Sequence, residues 1–150
     1  MSLAEILLLT NAAATWFMCG VIWFVQLVHY PLIRDYDRTA FPSVMLAHQN
    51  RTLRIVFPAM IAELITALAL LIWTPVGVPV WMPWVGAVLV GVWGFSTVLV
   101  QVPAHERLAA GGFDVNLHRR LVLSNWLRTA AWSARGVLCF AMIACVLAGR

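Results

Sequence analysis

Three long stretches of this chain carry at most one charged residue each, and that fixes where the chain can fold. Residues 4–28 hold only Glu5, residues 55–73 hold only Glu63, and residues 81–104 hold none. A fourth stretch, residues 121–147, carries Arg128 and Arg135. Each is close to the roughly 20 residues that an α-helix needs to cross the hydrocarbon core. Only 11% of the 150 residues are charged and 63% are hydrophobic, against about 25% charged in a typical soluble domain. The surplus apolar surface needs lipid to cover it. The expected fold is therefore all-α: one integral membrane four-helix bundle, up-down-up-down, filling residues 1–150, with spans at about 4–29, 52–73, 81–104 and 119–147. The first span is read as retained rather than cleaved, because its apolar run is too long for a signal peptide and no basic segment precedes it.

Charge placement gives an orientation. All ten basic residues are arginine. Arg34, Arg38, Arg51, Arg54, Arg107, Arg119 and Arg120 flank or occupy the first and third connections, whereas residues 74–80 carry no charge. The positive-inside rule then puts that face in the cytoplasm and both termini outside, in a plasma membrane of the bacterial inner-membrane kind. Such arginines suit anionic lipid headgroups, so the basic pI is explained by topology and no nucleic-acid partner is implied. Cys19, Cys139 and Cys145 show no CxxC spacing and lie in apolar spans, as buried thiols packing like small hydrophobes do.

Proline and glycine punctuate the chain. Tyr30-Pro31 is expected to end the first helix, since the residue before proline is pushed out of the helical region. Residues 32–50 then form a long connection, with 41–57 helical, either along the interface or extending the second span from Pro42 in its first turn. Pro58 should kink that helix, Gly111-Gly112 should break the third, and Asp114 should cap the fourth. Trp73, Trp81 and Trp84 suit an outer headgroup belt, while Trp16, Trp23, Trp93, Trp126 and Trp132 sit inside spans where a cavity or plain packing accounts for them. Gly86, Gly91 and Gly94 would let a neighbour approach the third helix.

With an up-down-up-down count, His29, His48, His105 and His118 all reach the same membrane face. Three helices carry a polar stripe toward that end: Gln26 with His29, then Thr97, Gln101 and His105, then His118, Asn125 and Thr129 with Arg128 on the shoulder. Polar side chains inside lipid are costly and are functional candidates by default. The four histidines are candidate metal ligands for iron, copper or zinc, with Gln26, Gln101 or Asn125 bracing them; interfacial histidines that bind nothing fit the spacing equally well. A b-type haem is another use of the same imidazoles, with Arg51, Arg54, Arg119 and Arg120 as propionate partners. Glu63 lies roughly 16 Å inside the bilayer at 1.5 Å per residue, Arg128 reaches a similar depth, and the two are expected to pair. Arg135, deeper still, is either a second partner for Glu63 or a residue reaching for the outer half of the membrane.

The motifs QLVHYP (26–31), VPAHERL (102–108) and NWLRTAAW (125–132) resemble those of the anthrone-oxygenase-like group of small four-helix membrane proteins. That group carries Pro-x-Asn-x-x-Leu after its third span and Asn/His-x-x-Arg in its fourth. Here Pro103-x-His105-x-x-Leu108 and Asn125-x-x-Arg128 stand in those places, with histidine for asparagine at 105 and leucine at 121 where the group tends to have tryptophan. The resemblance implies a membrane oxidoreductase acting on a hydrophobic, aromatic or polyketide-like small molecule. In that reading His29, His105 and His118 bind metal, Asn125 and Arg128 orient a substrate oxygen, and Glu63 moves a proton. The sequence equally accommodates an accessory subunit of a larger membrane assembly, or a homodimeric transporter.

Overall fold

The structure, a computed structural model, describes residues 1–149. Four rods account for nearly all of it: α1 (Leu3–Ile33), α2 (Phe41–Ile72), α3 (Trp81–Gly111) and α4 (Val115–Ala148). At 1.5 Å per residue each is about 47–51 Å long, which exceeds the ~30 Å hydrocarbon core. All four are long and apolar enough to cross a membrane. No strand occurs among the described residues.

Local chemistry sets the helix ends. Ser2 and Glu5 exchange side-chain-to-backbone hydrogen bonds in a capping box that starts α1. Pro42 sits in the first turn of α2, where its missing N–H costs nothing. In the preceding connection the Asp37 carboxylate accepts from the Thr39 hydroxyl and from the backbone N–H groups of Thr39 and Ala40. The Thr39 hydroxyl is the main cause holding the Asp37 carboxyl below the usual carboxylate range. Gly112 turns the chain at φ +78°, and Asp114 then caps α4 by accepting from the Leu117 N–H at 2.7 Å.

α1 does not end at Tyr30-Pro31 as its sequence leads one to expect. It opens into a π-turn over Val25–His29, the Tyr30 N–H bonding to the Val25 carbonyl, and continues to Ile33. Proline lacks an N–H and its ring crowds the carbonyl four residues back; one extra residue in the turn relieves both problems. α3 repeats the device, with a π-turn over Thr97–Gln101 just before Pro103. The first connection accordingly shrinks to residues 34–40, and 41–51 extends the second helix instead of lying apart from it. α2 is unbroken through Pro58.

Three apolar clusters stack along the axis and define the topology. Leu8, Ala12, Leu70, Cys139, Met142 and Val146 pack with Val78 at one end. Met18, Ile22, Ala67, Val90, Trp93, Ala131 and Trp132 fill the middle. Tyr30, Ile33, Phe41, Met45, Ala104, Leu108 and Leu121 close the other end. The start of α1 thus meets the ends of α2 and α4, and its end meets the start of α2. This is an up-down-up-down bundle in which each helix packs on its neighbours in chain order and α4 closes on α1. Outward-facing Phe17, Leu27, Ile65, Phe95, Leu127 and Phe140 leave an apolar exterior, as a multi-pass membrane bundle requires. Trp16, Trp23 and Trp126 also face outward, so of the tryptophans inside the spans only Trp93 and Trp132 belong to the core.

Gly77 adopts φ +88°, and a Cβ there would come 3.1 Å from the Cys145 carbonyl oxygen, whereas a Cβ at Gly91 meets nothing within 4 Å. Gly77→Ala should therefore cost about 1–2 kcal/mol from backbone strain alone, and Gly91→Ala should be neutral or slightly stabilising. Thermal unfolding of both variants in detergent checks the contrast.

Candidate functional site

The bundle interior contains two polar layers separated by a pair of indoles. Trp93 and Trp132 stack with ring centroids 4.9 Å apart. Trp132 faces both layers: its indole N–H donates to Glu63 Oε2 at 2.8 Å, and the Arg128 guanidinium lies 5.3 Å from its ring centroid.

The first layer is saturated. Glu63 and Arg135 are fully buried, with Arg135 Nε 2.5 Å from Glu63 Oε1. The Thr15 hydroxyl donates to the same carboxylate oxygen at 2.7 Å. Arg135 also donates to the Gly86 carbonyl and to Asn11 Oδ1, and Asn11 Nδ2 donates to Thr66 Oγ1 and the Glu63 carbonyl. Gly86 is glycine for a reason, since a Cβ there would stand 3.3 Å from the guanidinium; Gly91 and Gly94 face open space and make no such approach. The expected Glu63–Arg128 pair is therefore replaced by Glu63–Arg135. The reason is depth. α2 begins at Phe41, which places Glu63 22 residues from that end, while Arg135 lies 20 and Arg128 only 13 residues into α4.

The second layer occupies the histidine end. His29, His48 and His105 come together from α1, α2 and α3: His29 and His48 stack at 4.0 Å, and His48 and His105 lie 6.0 Å apart by ring centroid. His118 shares the same end but not the cluster. Its Nε2 is 2.8 Å from the Tyr30 carbonyl and its ring packs on Phe113. Beneath the three imidazoles the Tyr30 hydroxyl donates to Gln101 Oε1 at 3.1 Å and sits 3.0 Å from His105 Nε2. It also contacts the Arg128 guanidinium. Asn125 holds Arg128 through Oδ1 at 3.2 Å and donates to Gln26 Oε1 at 2.7 Å. Gln101 Nε2 donates to Ser124 Oγ at 2.9 Å, and Gln49 Nε2 ties α2 to the His105 carbonyl.

The π-turn changes which residues share a face. Gln26 and His29, three apart, do not point together: Gln26 is buried against Asn125 and Val122 of α4, while His29 turns toward His48 of α2. Tyr30 takes the inward position instead. It was hidden in the sequence by its place before Pro31, which argues for a helix end. Arg119, with Arg51, Arg54, Arg107 and Arg120, is on the exposed surface; none of these reaches the cluster.

This layer is under-satisfied. His29 Nε2, His105 Nδ1, Arg128 Nε, Trp93 Nε1 and Ser96 Oγ are buried atoms with no hydrogen-bond partner among the described residues. Trp93 Nε1 belongs to the indole pair, the other four lie on its histidine side, and each unmatched group costs free energy on folding. Metal holding fits poorly as the rings stand. His29 and His48 present faces rather than nitrogens to each other, His118 is committed elsewhere, and no group of three His, Cys, Asp or Glu among the described residues has metal-holding geometry. What the arrangement offers is a fixed cation, a hydroxyl and imidazole nitrogens converging on one place, the components of proton transfer beside a stabilised oxyanion.

The two layers should respond oppositely to mutation. Glu63→Gln or Arg135→Met leaves a buried charge unpaired and should destabilise by roughly 3–5 kcal/mol, whereas Arg128→Met removes a cation without a carboxylate partner and should leave stability unchanged or raised. Thermal melts of the three variants in one detergent decide it; equal losses would refute the division.

The chain matches no family model, no curated protein sequence and no solved structure.

Proposed function

We propose that this chain is a multi-pass membrane oxidoreductase, oxygenase-like, that oxidises a hydrophobic aromatic small molecule at the His29–His48–His105, Tyr30 and Arg128 end of the bundle. The observation that carries the reading is the unsatisfied polar layer, which keeps imidazole and guanidinium nitrogens unmatched where a structural network would have matched them. The motifs around Gln26–Pro31, Val102–Leu108 and Asn125–Trp132 support the same class of chemistry.

In the proposed reaction a ring carbonyl of the substrate lies against Arg128 and Asn125. With Tyr30 donating to Gln101, His105 carries its proton on Nε2, which faces the tyrosine oxygen, and Nδ1 is left as a base. Nδ1 takes a proton from the activated CH₂ of the substrate, and the negative charge gathers on the carbonyl oxygen beside Arg128, where a fixed cation lowers its energy most. Dioxygen is the oxidant: the CH₂ group and O₂ give a new carbonyl and water. A second reading places iron, copper or zinc at His29, His48 and His105 after ring rotation, favoured by the free His29 Nε2 and His105 Nδ1. The seven arginines at the histidine end support a cytoplasmic placement of the site in a plasma membrane, with both termini outside.

Purified protein in nanodiscs, given anthrone and air, should consume dioxygen and form the quinone, with His105→Ala lowering the rate about 100-fold or more, as loss of a general base does. Elemental analysis of the same sample decides the metal. Well-folded protein with neither turnover nor metal supports a non-catalytic accessory subunit instead. A reporter fused to the C-terminus should be active only outside the cytoplasm; cytoplasmic signal would invert the proposed orientation.

A further inference from the structure

Two guanidinium groups and one carboxylate enter the polar interior of this bundle, and the carboxylate is taken. Glu63 is engaged by Arg135, Trp132 and Thr15. Arg128 has no carboxylate within salt-bridge distance among the described residues, and the other ion pair found there is the exposed Arg34–Asp35. Its neighbours are the neutral Tyr30 and Asn125 and the face of Trp132. Arg128 as a residue is half-buried, and its Nε is enclosed and unpartnered. A cation kept in that setting within a membrane bundle is costly unless an anion completes it.

An apolar groove opens within one turn of this cation along α4, although Arg128 itself is not among the residues that line it. It holds about 450 Å³ between α3 and α4 and is lined by Ser96, Leu99, Leu123, Ser124 and Leu127 among others. Leu127 is the chain neighbour of Arg128, and Ser124 accepts from Gln101, which in turn accepts from Tyr30. Besides Ser124, the wall includes the unpartnered Ser96 hydroxyl. The groove faces what the fold presents to lipid, so its occupant arrives from the bilayer.

We infer that Arg128 anchors the anionic oxygen of an amphiphile whose apolar body lies in the α3–α4 groove. This rests on the oxidoreductase reading of the same site and names its substrate class: a lipid-soluble acid, carrying either a carboxylate or an ionised phenol or enol. A guanidinium hydrogen-bonded to an anionic oxygen forms a charge-assisted contact about twice as strong as a neutral one, and it is made where water competes least. Neutral analogues of equal size fill the groove equally well but leave Arg128 unmatched, so selectivity follows charge rather than shape.

The test uses the full chain in phosphatidylcholine nanodiscs and reads quenching of tryptophan fluorescence. The carboxylate arm compares a brominated undecanoate with its methyl ester. The phenol-type arm compares a hydroxynaphthoquinone with its methyl ether. In at least one arm the charged probe should bind about tenfold or more tighter than its neutral partner, as a charge-assisted hydrogen bond warrants, and the arm that responds names the head group. Arg128→Gln should abolish that preference while leaving the neutral probe unaffected. Leu99→Trp, which narrows the groove from its exposed wall, should weaken charged and neutral probes together. Equal binding of charged and neutral probes to the unaltered protein overturns the inference, as does a preference that survives Arg128→Gln or binding insensitive to Leu99→Trp. No turnover enters these measurements. Charge preference with no oxidation of anthrone leaves the anion site standing and removes the oxidoreductase reading; anthrone oxidation with no charge preference in either arm does the reverse.

Discussion

Lipid tails are as apolar as leucine, so apolar side chains give membrane helices little reason to prefer one neighbour or register over another. In this bundle that choice falls to Arg135. From α4 it reaches Glu63 on α2, Asn11 on α1 and the Gly86 carbonyl on α3, so one guanidinium contacts every other helix. A slip of any helix by one turn would strand a charge or a carbonyl in a low-dielectric interior, at a cost of several kcal/mol. The apolar clusters above and below, around Leu70 and around Trp132, pack on a register that this contact fixes.

Register at the centre determines what meets at the end. Because α1 and α3 each insert a π-turn before their prolines, both helices continue past the point where proline would stop them. The extra residue re-phases the following turn, sending His29 toward α2 and Tyr30 inward. His105 arrives on the same patch from α3, one turn beyond Gln101. Two helix irregularities at matching heights thus gather side chains that regular helices would have spread around the bundle.

Saturation separates the two polar layers better than residue type does. Both contain arginine and asparagine. Around Glu63 both carboxylate oxygens, the guanidinium and the Asn11 amide are engaged, which rigidifies and leaves little for a ligand to do. Around Arg128 the nitrogens of Arg128, His29 and His105 remain over. Trp132 couples the two, bonded to one layer and lying beneath the cation of the other.

The sequence by itself determined the class of fold: charge-poor stretches of spanning length have no stable home except lipid, and an even number of crossings brings all four histidines to one end. Gly112 and Asp114 announced their turn and cap because backbone conformation and capping are local. Pairing was not local. Glu63 could meet Arg128 or Arg135 according to whether the segment from Pro42 extended α2 or lay along the interface, and Pro31, before which helix formation should fail, concealed the inward turn of Tyr30. His118 carries the same side chain as His105, yet Phe113 and the Tyr30 carbonyl claim it. Only the tertiary structure decided these partners, because contacts between helices depend on the phase and depth of whole rods, which one inserted residue in a turn is enough to change.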